Sequence, residues 1–190
     1  MSTQPAEPRL AELPLSTPLE AEVHHSRGVY SWWLDTTRSP TPEAAGLQLP
    51  AVRRLRHSWG TAELLYVGRA RRDLHGRISG QHLRRTRSSA LRRTLLAVLL
   101  PGDPSWRDGA TLDGRNRVVL DEAHEQRLTA WMQEHLLLGW AGCGTKDDVD
   151  ALEQRWVAAH QPVLNTESTA HGQELTELKR AYREGLPVRC

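Results

Sequence analysis

Two short runs constrain this chain more than anything else in it: GVYSWWL at residues 28–34 and AELLYVG at residues 62–68. Each concentrates aromatic and β-branched residues, which suit the pleated, half-buried surface of a strand. A chain built on them is expected to be α+β, with a small central sheet of three or so strands, an antiparallel hairpin first, and helices on its flanks. Between the runs, Pro40, Pro42, Gly46 and Pro50 interrupt regular structure, and the basic stretch AVRRLRH follows. The segment is long for a hairpin loop. It reads as an insertion over about 36–61 with one short helix at 50–57.

The rest of the chain carries helix signals with identifiable starts. Asp73 can cap a helix that turns Leu74, Ile78, His82 and Leu83 toward the core, although Gly76 and Gly80 weaken it. Ser88 or Ser89 caps the stronger pattern SALRRTLLAVLL, which Pro101 stops. Asn116 to Leu120 reads as a strand leading into a helix from about Asp121 to Gln133, and HLLLGW at 135–140 as a buried strand. A last core helix starts at Asp147 or Asp148 and runs to Pro162, its acidic first turn suited to the positive end of the helix dipole. Val149, Leu152, Trp156 and Ala159 share one face of it, and Glu153, turned about 100° from Leu152, borders the core. Residues 1–25, rich in Pro, Glu, Ala and Ser, read as a mostly disordered leader. The expected organisation is therefore that leader, one domain over 26–167, and a tail over 168–190 with an exposed helix near Gln173 to Glu184.

Composition matters here mainly for what it excludes. The 190 residues suit one core, and with 38% hydrophobic residues and seven tryptophans in place of any phenylalanine there is apolar bulk to fill it. Two cysteines, Cys143 and Cys190, are too few for a disulfide framework and lack metal-ligand spacing, which fits a reducing cytoplasm. No stretch approaches the roughly 18 apolar residues of a membrane span, so no membrane partner is expected. His124-Glu125 lacks the second histidine of a zinc protease, since Leu128 occupies its place. Gly144-Thr145-Lys146 lacks the spacing of a phosphate-binding loop, with Asp147 where Ser or Thr is required. Net charge is only +2, yet from Arg69 to Arg93 there are nine arginines and one acidic residue, Asp73. Such a block can bind phosphates by releasing their condensed counterions. Its competing reading is a set of ordinary solvated faces in an Arg-rich chain.

Hydrolysis of a phosphodiester needs a water deprotonated and aimed in line, a cation for charge growing on the phosphorus oxygens, and help for the leaving oxygen. Tyr30 and Tyr66 occupy corresponding places in the two strand runs, Arg77 follows the second, and Glu153 lies on the late helix. These are suitable residue types for that chemistry. Gly28-Val29-Tyr30 and Tyr66-Val67-Gly68 resemble the paired signatures of the GIY-YIG nuclease superfamily, in the same order and on two strands. Leu74 and Arg77 resemble the Leu-x-x-Arg step of that family's first helix. Ala151-Leu152-Glu153, with Pro162 and Asn165 beyond, resembles its metal-binding Glu helix, the Pro that ends it and the Asn that follows. The resemblance covers roughly residues 27–166.

It implies an endonuclease acting on nucleic acid, DNA ahead of RNA, with one Mg²⁺ or Mn²⁺ per site held by Glu153. Arg77 would meet the scissile phosphate. Tyr30 would take the proton of the attacking water, with Tyr66 in the same cluster, and His82, five residues after Arg77, would be a second proton-transfer group. Arg69 stands where many relatives have Lys; it can bind phosphate but is a poor proton acceptor. Gly28 and Gly68 would let backbone pass close to substrate or strand. Arg69, Arg71, Arg72, Arg84, Arg85, Ser88, Ser89, Arg92 and Arg93 are the candidate nucleic-acid contacts, the last four clustered at a helix start where N–H groups favour anions. The four main groups are expected to line one accessible cleft. The rivals are a non-catalytic module that keeps the fold and basic face, and an adaptor whose outlying segments bind a protein partner or targeting subunit.

Overall fold

The first strand run is buried along its whole length, so it demands cover on both faces. The computed structural model describes residues 8–189 and supplies that cover with an α+β arrangement in three layers. Among the described residues the strands are β1 (Leu15–Ser16), β2 (Gly28–Asp35), β3 (Ala62–Ala70), β4 (Ala110–Leu112), β5 (Val118–Leu120) and β6 (Leu136–Gly142). The helices are α1 (Leu74–Arg77), α2 (Ala90–Leu99), α3 (Glu122–His135), α4 (Lys146–His160) and α5 (Gly172–Arg183). One sheet has the order β1-β6-β2-β3 with every pair antiparallel, and β4 and β5 form a separate two-stranded ribbon.

Alternation along β2 divides the core in two. Tyr30, Trp32 and Leu34 pack with Leu74, Leu91, Leu95, Met132 and Leu175, which brings α1, α2, α3 and α5 to one face. Val29 and Trp33 face the other layer, where Leu64 and Val67 of β3 meet Val149, Leu152 and Trp156 of α4. A bulge between Trp32 and Trp33 shifts the β2–β3 register.

Three expectations change. The leader over 1–25 lies outside the described residues only for 1–7. Beyond them Leu10 and Leu13 are buried in the α4 layer, and β1 pairs with β6. The segment 50–57 forms no helix: Arg54 Nε is drawn 2.7 Å from Glu63 Oε2, Arg56 bridges to Glu63, and the insertion's helical turn is at Glu43–Ala45 instead. The helix of the expected tail belongs to the core, with Leu175 and Tyr182 buried and the Tyr182 hydroxyl donating to Trp106 O at 2.7 Å.

Candidate active site

Tyr30 pairs with Gly68 across the β2–β3 ladder and Trp32 pairs with Tyr66, so the two phenols are diagonal neighbours on one sheet face. Their ring centroids are 6.4 Å apart. Only a glycine fits beneath them: a β-carbon on Gly68 would stand 2.5 Å from the Tyr30 hydroxyl oxygen and 2.8 Å from the Tyr66 ring. At Gly28 a β-carbon would run into the Ala141 carbonyl of β6 and lie 2.6 Å from Leu74 Cδ1. That absence of bulk lets α1 sit close over the head of β2.

Asp73 starts α1 by accepting the backbone N–H groups of His75 and Gly76 at 3.1 and 3.0 Å, and Arg77 closes it. The chain then widens into one π-helical turn over Ile78–His82, where the Leu83 N–H reaches back to Ile78 O at 3.0 Å. In an α-helix, position i+5 lies about 140° around the axis from i. The extra residue of the π turn corrects this and brings His82 onto the side of Arg77; such turns are frequent at functional sites.

Arg77 Nε donates to the Tyr30 hydroxyl at 3.2 Å, and its Nη1 donates to Ser88 O at 3.2 Å and to Gln81 Oε1. The Tyr30 hydroxyl also lies 2.6 Å from His82 Nε2, an acceptor for the phenol proton when the neutral ring carries its hydrogen on Nδ1. In that tautomer Nδ1–H faces Ser89 Oγ, 2.6 Å away. Ser89 is fixed in turn as the N-cap of α2, accepting Arg92 N–H at 3.1 Å.

The other wall is built along β3, the edge strand of the sheet. Asn165 clamps that edge with its carboxamide, which accepts Val67 N–H at 3.0 Å and donates to Val67 O at 2.9 Å, while Leu164 N–H donates to Leu65 O at 2.8 Å. A reciprocal cap between Thr145 and Asp148 starts α4. This helix covers the sheet face opposite Tyr30, yet Glu153 lies at the β3 edge, where its Oε2 accepts Arg69 Nη1 at 2.7 Å. Arg69 and Arg71 also flank Asp150, at 3.4 and 2.7 Å. Tyr30, Tyr66, Arg77 and Glu153 thereby line a single cleft of about 530 Å³, with Gly68, Arg69, Asn165 and Glu167 in the same wall.

Burial sets the electrostatics. It pushes the Tyr30 phenol well above its ordinary value, opposed chiefly by the Arg77 charge, and it raises Tyr66 in the same way. Burial also holds His82 well below the usual histidine range, helped by Arg77, Arg92 and Arg93, so the ring is neutral. The half-buried Glu153 carboxyl is raised by desolvation, against which Arg69 works.

The basic block does not act as one surface. Arg69 lines the cleft, and Arg71 and Arg72 line an adjoining cavity with Arg77. Arg84 and Arg85 are exposed outside the cleft wall, and exposed Ser88 lends Arg77 its carbonyl. Two expected contacts are corrected. Arg92 is fully buried, with Nη2 2.7 Å from Glu125 Oε2 and further bonds to the His82 and Glu125 carbonyls, so its guanidinium holds α2 to α3 from inside the core instead of lying on an exposed basic face. Ser89 is likewise buried as cap and His82 partner. Sequence reasoning misses Gln81 and Glu125. No spacing rule marks Glu125 as the partner of an arginine 33 positions earlier. Among the described residues His25, Asp73 and His75 bring ligand-type atoms within 4.8 Å of one another, but they stand outside the cleft and Asp73 is engaged in capping α1. None of the described helices is long and apolar enough to cross a membrane.

No curated protein and no solved structure shows a significant match to the chain. A family model described as GIY-YIG catalytic domain matches residues 28–183. That span starts at the glycine heading β2, ends with α5, and encloses every group in the cleft wall. The chain belongs to the GIY-YIG catalytic domain family.

Proposed function

We propose that the chain is a metal-dependent endonuclease that hydrolyses phosphodiester bonds in nucleic acid, DNA ahead of RNA, in a reducing cytoplasm. The observation that carries the reading is one cleft that gathers two phenols, a guanidinium and a carboxylate from β2, β3, α1 and α4. In the resting site neither Tyr30 nor His82 ionises readily, because burial opposes the phenolate and the imidazolium alike. Proton transfer is therefore concerted. The attacking water gives a proton to the Tyr30 oxygen while the phenol proton passes to His82 Nε2, so negative charge grows on the attacking oxygen and the matching positive charge on the His82 ring, a buried imidazolium that forms only with the phosphate's negative charge already in the cleft. Arg77, held to the Tyr30 oxygen and to Ser88 O, keeps its guanidinium charged beside the position of the phosphate and stabilises the charge that grows there. Tyr66 flanks Tyr30 and restricts the water to one approach.

Glu153 is the residue that would hold Mg²⁺ or Mn²⁺, together with water. Its environment fits such an ion: a hard oxygen donor opens into the cleft, and desolvation leaves the carboxylate in need of positive charge, which Arg69 now supplies. When bound, one divalent ion would offset charge on the phosphorus oxygens. The test is incubation of the purified chain with supercoiled duplex, single-stranded DNA and structured RNA, each with Mg²⁺, Mn²⁺ or EDTA. Metal-dependent cutting, fastest on DNA, is the expected result. Binding without cutting under every condition would leave the binding-module reading.

A further inference from the structure

Helix α2 presents Ala90 and Thr94 to the cleft wall, and Arg93, next to Thr94 on the same helix, lines a second cavity of about 380 Å³. Five cations border it: Arg93 from α2, Arg115 and Arg117 from the ribbon of β4 and β5, and Lys179 and Arg183 from α5. No carboxylate is among its described lining residues. Arg117 is paired with Asp113, whose side chain is shared by Arg87 at 2.7 Å and by Arg117 at 2.9 Å, and Glu167 is within electrostatic reach of Lys179. The Asp113 pKa falls far below the usual carboxylate range, first through the Arg117 backbone N–H and then through both guanidinium groups. Five lining cations against one carboxylate paired at the rim and a second within electrostatic reach leave the cavity positive.

The cations are also held in place. Arg93 Nη1 donates to the carbonyls of Thr86 and Arg87 at 3.1 and 2.8 Å, and Arg183 Nε donates to Lys179 O at 3.1 Å. Three separate elements therefore bring like charges together, which costs free energy unless an anion arrives to balance it. Desolvation first, then the Arg93 and Arg183 charges, push the Lys179 ammonium below its ordinary range, against the pull of Glu167.

We propose that this cavity is a phosphate subsite, which grips the nucleic-acid backbone at a phosphate away from the bond being cut. The inference deepens the nuclease reading of the cleft and rests on it for the identity of the anion: a phosphodiester chain leaving Arg77 passes along α2 to Arg93, whose charge is felt at both Arg77 and Tyr66. The residues concerned come mostly from beyond the basic block, since Arg115, Arg117, Lys179 and Arg183 are spread over two distant elements.

The test uses the full chain with Lys179→Gln plus Arg183→Gln, a pair of substitutions compatible with a helix. A second variant, Arg115→Gln, lies on an exposed turn and leaves the fold intact. Binding of a fluorescein-labelled DNA duplex is followed in EDTA from 50 to 200 mM salt, and single-turnover cutting is followed at saturating duplex with Mg²⁺. The double variant is expected to bind about tenfold more weakly, with the log–log salt slope reduced by about 2, because each lost phosphate contact removes about 0.9. Arg115→Gln lowers affinity by a smaller factor, and cutting at saturation stays within about twofold for both. Unchanged affinity and slope in both variants would overturn the subsite, as would a loss confined to the cutting step. If the wild-type chain binds duplex through these residues but never cuts, the subsite stands and the nuclease reading falls.

Discussion

The Tyr30 phenol sits where three constraints meet: the bare backbone of Gly68 beneath it, Arg77 on its oxygen and His82 beside its hydroxyl. Gly68→Ala is therefore expected to shift the hydroxyl and lower the single-turnover rate by about 10²-fold or more while nucleic-acid affinity changes little. A rate within twofold of wild type would show that the Tyr30 position is not critical. His82 gives a pH signature. Its folded-state pKa lies well below the ordinary 6.5, so below that pH the unfolded chain binds a proton that the folded one does not. The stability it contributes is complete above pH 6.5 and is lost as pH falls beneath it, with a slope of up to about 1.4 kcal/mol per pH unit. Denaturation midpoints from pH 7 to 5 should show this slope, and His82→Gln should flatten it. Tyr30, Tyr66, Arg77 and Glu153 were legible through the resemblance of the motifs around them to the GIY-YIG signatures, and the structure brings all four to one cleft. The fate of each arginine was not. A guanidinium reads the same in sequence whether it faces solvent, as Arg85 does, or is buried against a carboxylate, as Arg92 is.

Among the elements, the helices with strong caps were readable, because Ser89, Asp121 and Asp73 announce the first turns of α2, α3 and α1. The π turn after Arg77 was not, since a five-residue offset between Arg77 and His82 has no signature except the odd spacing itself. The strand β4 was missed because three residues between Gly109 and Asp113 carry too little pattern to separate from a loop. The helix at 50–57 was over-read: the alternation of Arg and Leu there serves bonds to Glu63 rather than a helical face. The Arg92–Glu125 pair ties α2 to α3 beneath the cleft. Arg92→Met leaves Glu125 half-satisfied and is expected to destabilise the fold by about 3–5 kcal/mol, as breaking a buried pair does. Urea denaturation measures it, and duplex affinity at low temperature should be nearly unchanged. An affinity loss without a stability loss would restore Arg92 as a nucleic-acid contact.

At the scale of the molecule, the two-faced burial of β2 explains why the fold reaches outside the stretch from 26 to 167. Leu10 and Leu13 cover the Trp33 face, where His57 also bonds Leu13 O at 2.9 Å, and α5 closes the face of Tyr30 and Trp32. A polar, proline-rich segment such as 8–25 hides this role in sequence, since a few buried side chains, Leu10, Leu13 and Val23, and the two-residue strand β1 dock it. Leu10→Ala with Leu13→Ala is expected to cost about 2–5 kcal/mol per site in urea denaturation, whereas a segment lying free in solvent would lose nothing. The same closure carries Glu153 around the β3 edge to meet groups from the opposite layer, and the catalytic reading depends on that convergence. It is tested most directly by single-turnover cutting of saturating duplex with Mg²⁺ by wild type and by Glu153→Gln, alongside duplex affinity in EDTA. The account predicts that Glu153→Gln binds duplex as well as wild type does and cuts it at least about 10²–10³-fold more slowly, the size of effect expected when transition-state charge loses its partner. Cutting at the wild-type rate by Glu153→Gln in the same metal would contradict it.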